Sequence, residues 1–188
     1  MILSFGCDKK REPFDGHVIV LLLDTLSANH LSLYGYSRAT DPHLKELGAE
    51  SIVVEQAFAS APWTLPSHYS LFTGLFPHHH GVTQFDTPPL PNLNQQYQTV
   101  TEHFKKQGYA TAWFAPTDNF ELSLERGLGK GFDQVKPAAF EVDRLDQIYS
   151  WLKGKKKSFS FVHTYAPLFV SSARHPFTRL PVSNDCNA

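Results

Sequence analysis

The feature that most constrains the fold of this chain is a continuous apolar run over residues 17–23, HVIVLLL, followed at once by Asp24. Seven residues are few for a buried helix, and the β-branched residues near its start favour a strand. A strand without alternating polar residues is typical of a parallel sheet that is covered on both faces. Asp24 then lies at the carboxyl end of this strand, the edge where open α/β sheets bind ligands.

Helix and strand patterns alternate along the chain as far as Ala166, after which no periodicity remains. The first predicted helix spans 43–50; it starts at Thr40-Asp41-Pro42 with a capping side-chain oxygen and buries Leu44 and Leu47. After it follow a strand over 52–54, a helix over 67–73 closed by Gly74, a helix over 100–107 ended by Gly108, a strand over 109–115, a helix over 142–152 and a strand over 159–163. This order predicts an α/β fold with a layered, mainly parallel sheet flanked by helices.

Composition limits the possible partners. Hydrophobic residues make up 41% of the 188 residues and charged residues 19%, as in a globular domain. With 17 basic and 18 acidic residues the formal net charge is −1, so the chain lacks the concentrated positive charge of a nucleic-acid surface. A nucleotide-binding module is also disfavoured, because no glycine-rich turn follows the first strand.

The amino-terminal residues 1–16 are predicted to be unstructured or the remnant of a signal. Residues 1–7, MILSFGC, resemble the tail of a bacterial lipoprotein signal, in which Cys7 would carry the lipid. That interpretation predicts a periplasmic protein or a membrane-anchored lipoprotein whose membrane contact runs through Cys7. The alternative is a frayed terminus, because the apolar stretch is short for a signal.

A second candidate for chemistry is Thr64, within the segment APWTLPSHYSLFTG over residues 61–74. Prolines favour an extended approach, and the Thr64 hydroxyl is predicted to lie one turn before a helix. The amino terminus of a helix stabilises a deprotonated oxygen and an incoming anionic ester. On local pattern alone Asp24 and Thr64 could each be a helix cap, and Ser67 could cap the same helix.

Five short motifs favour a chemical role for Asp24 and Thr64 over helix capping: DTL at residues 24–26, LYGY at 33–36, TDPHL at 40–44, TLPSH at 64–68 and LFTG at 71–74. Their order and spacing resemble the amino-terminal half of sulfatases, which belong to the alkaline-phosphatase superfamily. The likeness continues through GY at 108–109, GFD at 131–133 and FVH at 161–163. It implies a sulfatase-like domain over residues 17–167, incomplete at its carboxy-terminal end, and an irregular tail over 168–188.

The resemblance implies a role for each candidate. Asp24 would be a ligand of a divalent metal ion, with calcium, magnesium, manganese and zinc all open. Thr64 takes the position of the residue that sulfatases oxidise to formylglycine, a route that the threonine methyl group blocks. In related phosphodiesterases and phosphoethanolamine transferases, a threonine that also binds the metal is the nucleophile. The expected substrate is a sulfate or phosphate ester of a small molecule, a glycan or a lipid.

This sequence also departs from the family pattern. Thr25 replaces a second aspartate, and His68 replaces an arginine but is close enough to contact substrate. Residues 112–116 lack the lysine and histidine that are usual in the family. Leu168 stands where relatives have a substrate-binding histidine. His163 matches another histidine of the family, which precedes the substrate-binding one and has a more structural role. The family's remaining metal ligands lie further downstream than Ala188. A truncated or degenerate, non-catalytic homologue is therefore the alternative function.

Two further expectations concern the surface. Residues 78–80, three consecutive histidines, could suggest zinc, but neighbouring residues in a loop rarely converge on one ion, so a structural loop is favoured. An incomplete sheet would expose an edge strand and an apolar patch, which favours aggregation or partner binding.

Overall fold

The computed structural model describes residues 14–83, 92–115, 124–137 and 142–165. The strands are β1 (His17–Leu23), β2 (Ala110–Ala115), β3 (Gln134–Pro137) and β4 (Ser158–Thr164), and the helices are α1 (Pro42–Ala49), α2 (Thr64–Thr73), α3 (Pro77–His80), α4 (Val100–Lys106) and α5 (Val142–Leu152). Short 3-10 turns span Ala28–His30 and Ser32–Tyr34, and a π-helical turn spans Leu124–Leu128. The predicted segment 1–16, except its last three residues, and the tail 168–188 lie outside these ranges.

The four strands of the described residues form one parallel sheet in the order β1-β4-β2-β3. Helices pack on both faces, which confirms the predicted α/β class. On one face Trp113 of β2 stacks on Phe72 of α2, with ring centroids 5.3 Å apart. On the other face Phe114 of β2 packs edge-to-face on Trp151 of α5, at 5.7 Å. Strands β2 and β4 are buried along nearly their whole length, as expected for the central strands of a parallel sheet that is covered on both faces.

Strand β1 lies at the edge of the sheet and is only partly covered. Val20 and Leu22 pack against the core that includes Phe72 and Trp113, whereas Ile19 and Leu21 are 49% and 57% exposed. An edge strand with two large apolar side chains in water agrees with the exposed edge expected from the sequence.

Three local predictions for residues 40–54 were wrong. Residues 52–54 form no strand, and Ile52 is 95% exposed, because apolar character alone does not make a strand without a neighbour to pair with. Leu47 of α1 is 62% exposed, and α1 packs mainly on the turn Ser32–Tyr34. The Asp41 carboxylate does not cap α1 and accepts hydrogen bonds from the amides of Ser32 and Leu33.

Candidate active site

Asp24 follows β1 directly, at the carboxyl end of the sheet. Its backbone N–H donates to the carbonyl of Thr164, at 2.9 Å, so the parallel ladder with β4 continues one residue beyond the strand. The side chain keeps 15% of its surface exposed. Asp24 is therefore fixed at the carboxyl end of the sheet, where its place in the sequence predicted it, and its side chain stays partly exposed.

Thr64 is the first residue of α2, so the helix begins three residues earlier than predicted. Trp63 before it is extended, with φ −145° and ψ 159°, and Pro66 fits in the first turn because no intrahelical partner is needed there. Thr64 Oγ1 lies 3.4 Å from Asp24 Oδ2, which is long for an O–H···O hydrogen bond, usually about 2.7 Å. The two residues, 40 positions apart, are thus brought together at the start of a ten-residue helix.

His163 also contacts Asp24, which the sequence did not reveal. Its Nε2 lies 3.0 Å from Asp24 Oδ2, and its side chain is fully buried. This hydrogen bond holds the pKa of Asp24 below its usual value, although partial burial of the carboxyl acts in the opposite direction. The carboxylate is therefore ionised at neutral pH, the form that binds a cation.

His68 lies behind Thr64, on the next turn of α2. Its Nδ1 donates to the carbonyl oxygen of Thr64 at 2.7 Å, and the residue is 3% exposed. Burial, assisted by nearby His163, lowers the pKa of His68 to about 4. The ring is thus neutral at pH 7 and carries its proton on Nδ1. Whether His68 touches substrate stays a prediction; what it holds in the structure is the backbone of Thr64.

A cleft of about 530 Å³ opens over these groups. It is lined by Leu22, Leu23, Asp24, Thr25, Ala59, Ala61, Pro62, Trp63, Thr64, Ser67 and His68. An apolar cleft of about 360 Å³ adjoins it and shares Leu22, Ala59 and Ser67. Asp24 and Thr64 therefore lie in a space large enough for a small ester, with an apolar surface beside it.

Thr25, beside Asp24, has a strained backbone. Its φ of 61° is the one positive value at a non-glycine position among the described residues, and β-branched residues rarely lie in this region. Its N–H helps to keep the pKa of Asp24 low through a hydrogen bond. Strain of this kind is characteristic of functional sites.

Asp24 and Thr64 suit a divalent cation in chemistry and in spacing. Two oxygens bound to one calcium at about 2.3–2.6 Å and at a right angle lie about 3.3–3.7 Å apart. Tetrahedral zinc, with ligands at about 2.0–2.2 Å, gives nearly the same separation. The observed 3.4 Å fits either ion. In the described ranges no group of three histidine, cysteine, aspartate or glutamate residues converges on a metal position.

The three histidines at 78–80 form the short helix α3 and not the loop that was expected. His80 is buried, its Nδ1 accepts from the Val82 amide and its Nε2 donates to Ser70 Oγ, at 3.1 and 3.0 Å. Burial also lowers the pKa of His80. Both ring nitrogens of His80 are thus engaged within the fold, which agrees with the structural interpretation.

A model of the sulfatase family matches residues 16–176. The chain belongs to the sulfatase family. Among curated proteins it is similar to the N-acetylgalactosamine-6-O-sulfatase of Bacteroides thetaiotaomicron, with 25% identity over 118 residues, which are 58% of this chain and 23% of that protein. The chain thus spans about a quarter of the length of this sulfatase.

Two solved structures show the same fold. The phosphonate monoester hydrolase of Agrobacterium radiobacter matches with a TM-score of 0.66 and 16% identity, over 82% of this chain and 41% of that chain. The carboxy-terminal periplasmic domain of EcEptC from Escherichia coli, in complex with zinc, matches with a TM-score of 0.60 and 19% identity, over 81% and 44%. Both share the fold of this chain, a mainly parallel sheet flanked by helices. Within the described part of the chain, no helix is long and apolar enough to cross a membrane.

Proposed function

We propose that this protein is a metal-dependent hydrolase of sulfate or phosphate esters, with Thr64 as its nucleophile. The observation that carries the proposal is the 3.4 Å separation of Thr64 Oγ1 and Asp24 Oδ2 at the carboxyl end of β1. A hydroxyl at a helix amino terminus and a carboxylate at a parallel-strand end come together there from distant parts of the sequence. This is the placement expected for a nucleophile and a metal ligand.

Each residue has a defined part in this proposal. Asp24, whose pKa is lowered by the hydrogen bond from His163, would hold the cation together with Thr64 Oγ1. When bound, the cation lowers the pKa of the Thr64 hydroxyl and offsets negative charge on the transferred group. Thr64 Oγ1 would lose its proton to solvent and form a bond to phosphorus or sulfur as the bond to the alcohol oxygen breaks, and the alcohol would leave with a proton from solvent. A water molecule would then cleave the ester of Thr64, which restores the hydroxyl and releases the sulfate or phosphate. The first amides of α2 face the anionic ester.

Threonine favours phosphorus as the reacting centre. Its β-carbon carries a methyl group where an aldehyde would have to form, so the formylglycine route of sulfatases is closed to it. One structure with the same fold is named a phosphonate monoester hydrolase, and one curated relative is named an N-acetylgalactosamine-6-O-sulfatase. The sulfated-sugar and phosphorus-ester substrate classes are therefore both part of the test.

The test uses the full-length protein, aryl sulfate and aryl phosphate esters, and three variants of one position. Thr64→Val keeps the shape of the side chain and removes the hydroxyl; Thr64→Ser keeps the hydroxyl; Thr64→Ala removes both. We expect activity to fall by at least about a hundredfold in the valine and alanine variants, as when a covalent nucleophile is lost, and to persist with serine. Valine activity equal to wild type would exclude Thr64 as nucleophile.

A non-catalytic homologue is the second candidate, because within the described residues no group of three histidine, cysteine, aspartate or glutamate side chains converges on a metal position. Asp24 and Thr64 supply two oxygens, whereas a hard cation takes about six or more. Titration calorimetry of the full-length protein with calcium, magnesium and zinc distinguishes the two functions. A site of micromolar or better affinity that disappears in Asp24→Asn supports the hydrolase, and no heat with any of the three ions supports the non-catalytic function.

The proposal includes a location outside the cytoplasm. Its support is the fold shared with a domain that is named as periplasmic. Anchoring through Cys7 is the finer proposal, and Cys7 lies outside the described residues. Labelling of the expressed protein with a radioactive fatty acid, compared with Cys7→Ser, tests it; equal label in both forms would exclude the anchor.

A further inference from the structure

Strand β4 holds Asp24 at two points. The backbone N–H of Asp24 donates to the Thr164 carbonyl, and the carboxylate Oδ2 meets His163 Nε2 at 3.0 Å. His163 lies opposite Leu22 in the β1–β4 register, so its side chain reaches the carboxyl end of the neighbouring strand. The sheet therefore fixes both the main chain and the side chain of Asp24.

The His163 ring is itself firmly enclosed. Its side chain is fully buried, and it packs against Tyr165 at 4.6 Å, His68 at 5.0 Å and Phe161 at 6.3 Å between ring centroids. A ring packed on three sides by other rings keeps one rotamer. It therefore presents Nε2 to Asp24 at a constant position.

We propose that His163 is a positioning residue, which fixes the Asp24 carboxylate in the orientation that receives a divalent cation beside Thr64. The inference rests on the proposed function. His163 Nε2 and Thr64 Oγ1 meet the same carboxylate oxygen, Oδ2, so the hydrogen bond that orients Asp24 also sets its distance from Thr64. Outer hydrogen bonds of this kind orient metal ligands, and their loss typically costs 10–100-fold in affinity.

Two substitutions separate this role from simple packing. His163→Gln places an amide N–H near the position of Nε2, whereas His163→Leu fills the space without a donor. Metal affinity is measured by calorimetry on the full-length protein with calcium, magnesium and zinc, at a temperature at which each variant is folded. We expect the leucine variant to bind 10–100-fold more weakly and the glutamine variant to stay within about fivefold of wild type.

His80→Leu is the matched control. It also removes a buried, hydrogen-bonded histidine, but His80 bonds to Ser70 and not to Asp24. It should lower the melting temperature and leave cation affinity unchanged. Leucine variants at 80 and 163 that weaken cation binding equally would overturn the positioning role.

The other outcomes are also decisive. If wild type binds a cation and His163→Leu binds it equally well, the role of His163 is refuted and the proposed function stands. If wild type binds none of the three cations, both are refuted. If His163→Leu does not fold, NMR of the metal-free wild-type protein decides. A ring N–H of His163 that is bonded to a carboxylate resonates downfield, and this signal should shift in Asp24→Asn. An unshifted signal overturns the role.

Discussion

Replacement of Thr25 by asparagine is expected to stabilise the protein. Thr25 has a φ of 61° and its side chain is exposed, so the substitution changes the backbone preference and sacrifices little packing. An ordinary residue in the left-handed region costs about 1–2 kcal/mol, and asparagine is several-fold enriched there. A several-fold preference corresponds to about 1 kcal/mol, so we expect Thr25→Asn to raise the free energy of unfolding by about 1 kcal/mol.

The gain is measured by urea denaturation of the metal-free protein, with thermal unfolding as a second observable. For a domain of this size about 1 kcal/mol corresponds to about 2–4 °C in melting temperature. Thr25→Gly should gain less, because glycine adds about 0.5–1 kcal/mol of conformational entropy to the unfolded chain. Thr25→Val retains the β-branch and should not gain. If valine stabilised as much as asparagine, or asparagine destabilised, the strain argument would be refuted.

Three further predictions concern packing, pH and self-association. Gly131→Ala should lower the free energy of unfolding by more than about 2 kcal/mol, because φ is +89° and the added Cβ would lie 2.5 Å from a backbone nitrogen of α4. Gly74→Ala, with φ +70° and no atom within 4 Å of the added Cβ, should lower it by only about 1–2 kcal/mol. Urea denaturation of both variants measures the difference. The pKa of His68 is lowered to about 4 in the folded protein, so the unfolded state binds an extra proton between about pH 6.5 and 4. The contribution of His68 to the free energy of unfolding should therefore be complete above about pH 6.5 and be lost as the pH drops to about 4. The loss should be smaller in His68→Gln. Ile19→Lys should reduce aggregation of residues 1–188 in light scattering without lowering the melting temperature. Val20→Lys places the charge on a partly buried side chain that packs against the core, and it should lower the melting temperature. Unchanged aggregation in Ile19→Lys would contradict a role for the exposed edge.

Most of the fold could be predicted because its strands are continuous apolar runs and its helices have clear boundaries. Strands β1, β2 and β4 and helices α4 and α5 lie within a residue or two of their predicted places. Strand β3 was not predicted, since its four residues, QVKP, have no apolar pattern and are held by pairing with β2. The start of α2 was displaced because Pro66 suggested a helix that begins after it.

The site was predictable to the extent that it depends on sheet topology. Asp24 at a strand end and Thr64 before a helix were expected at one edge, and the resemblance to sulfatases assigned them roles. The contact of His163 with Asp24 joins residues 139 positions apart. It depends on the register of β1 against β4, which a single sequence does not specify. Local pattern likewise gave no indication that His68 would be buried.

The edge position of β1 has a consequence for regulation. Among the described strands, β1 pairs with β4 alone, and it ends at Asp24. A polypeptide segment that pairs with the outer side of β1 would stiffen the strand that carries the carboxylate. If that pairing raised cation affinity, cation binding would raise the affinity of the segment by the same factor. Edge pairing and metal binding would then be thermodynamically linked through a single strand.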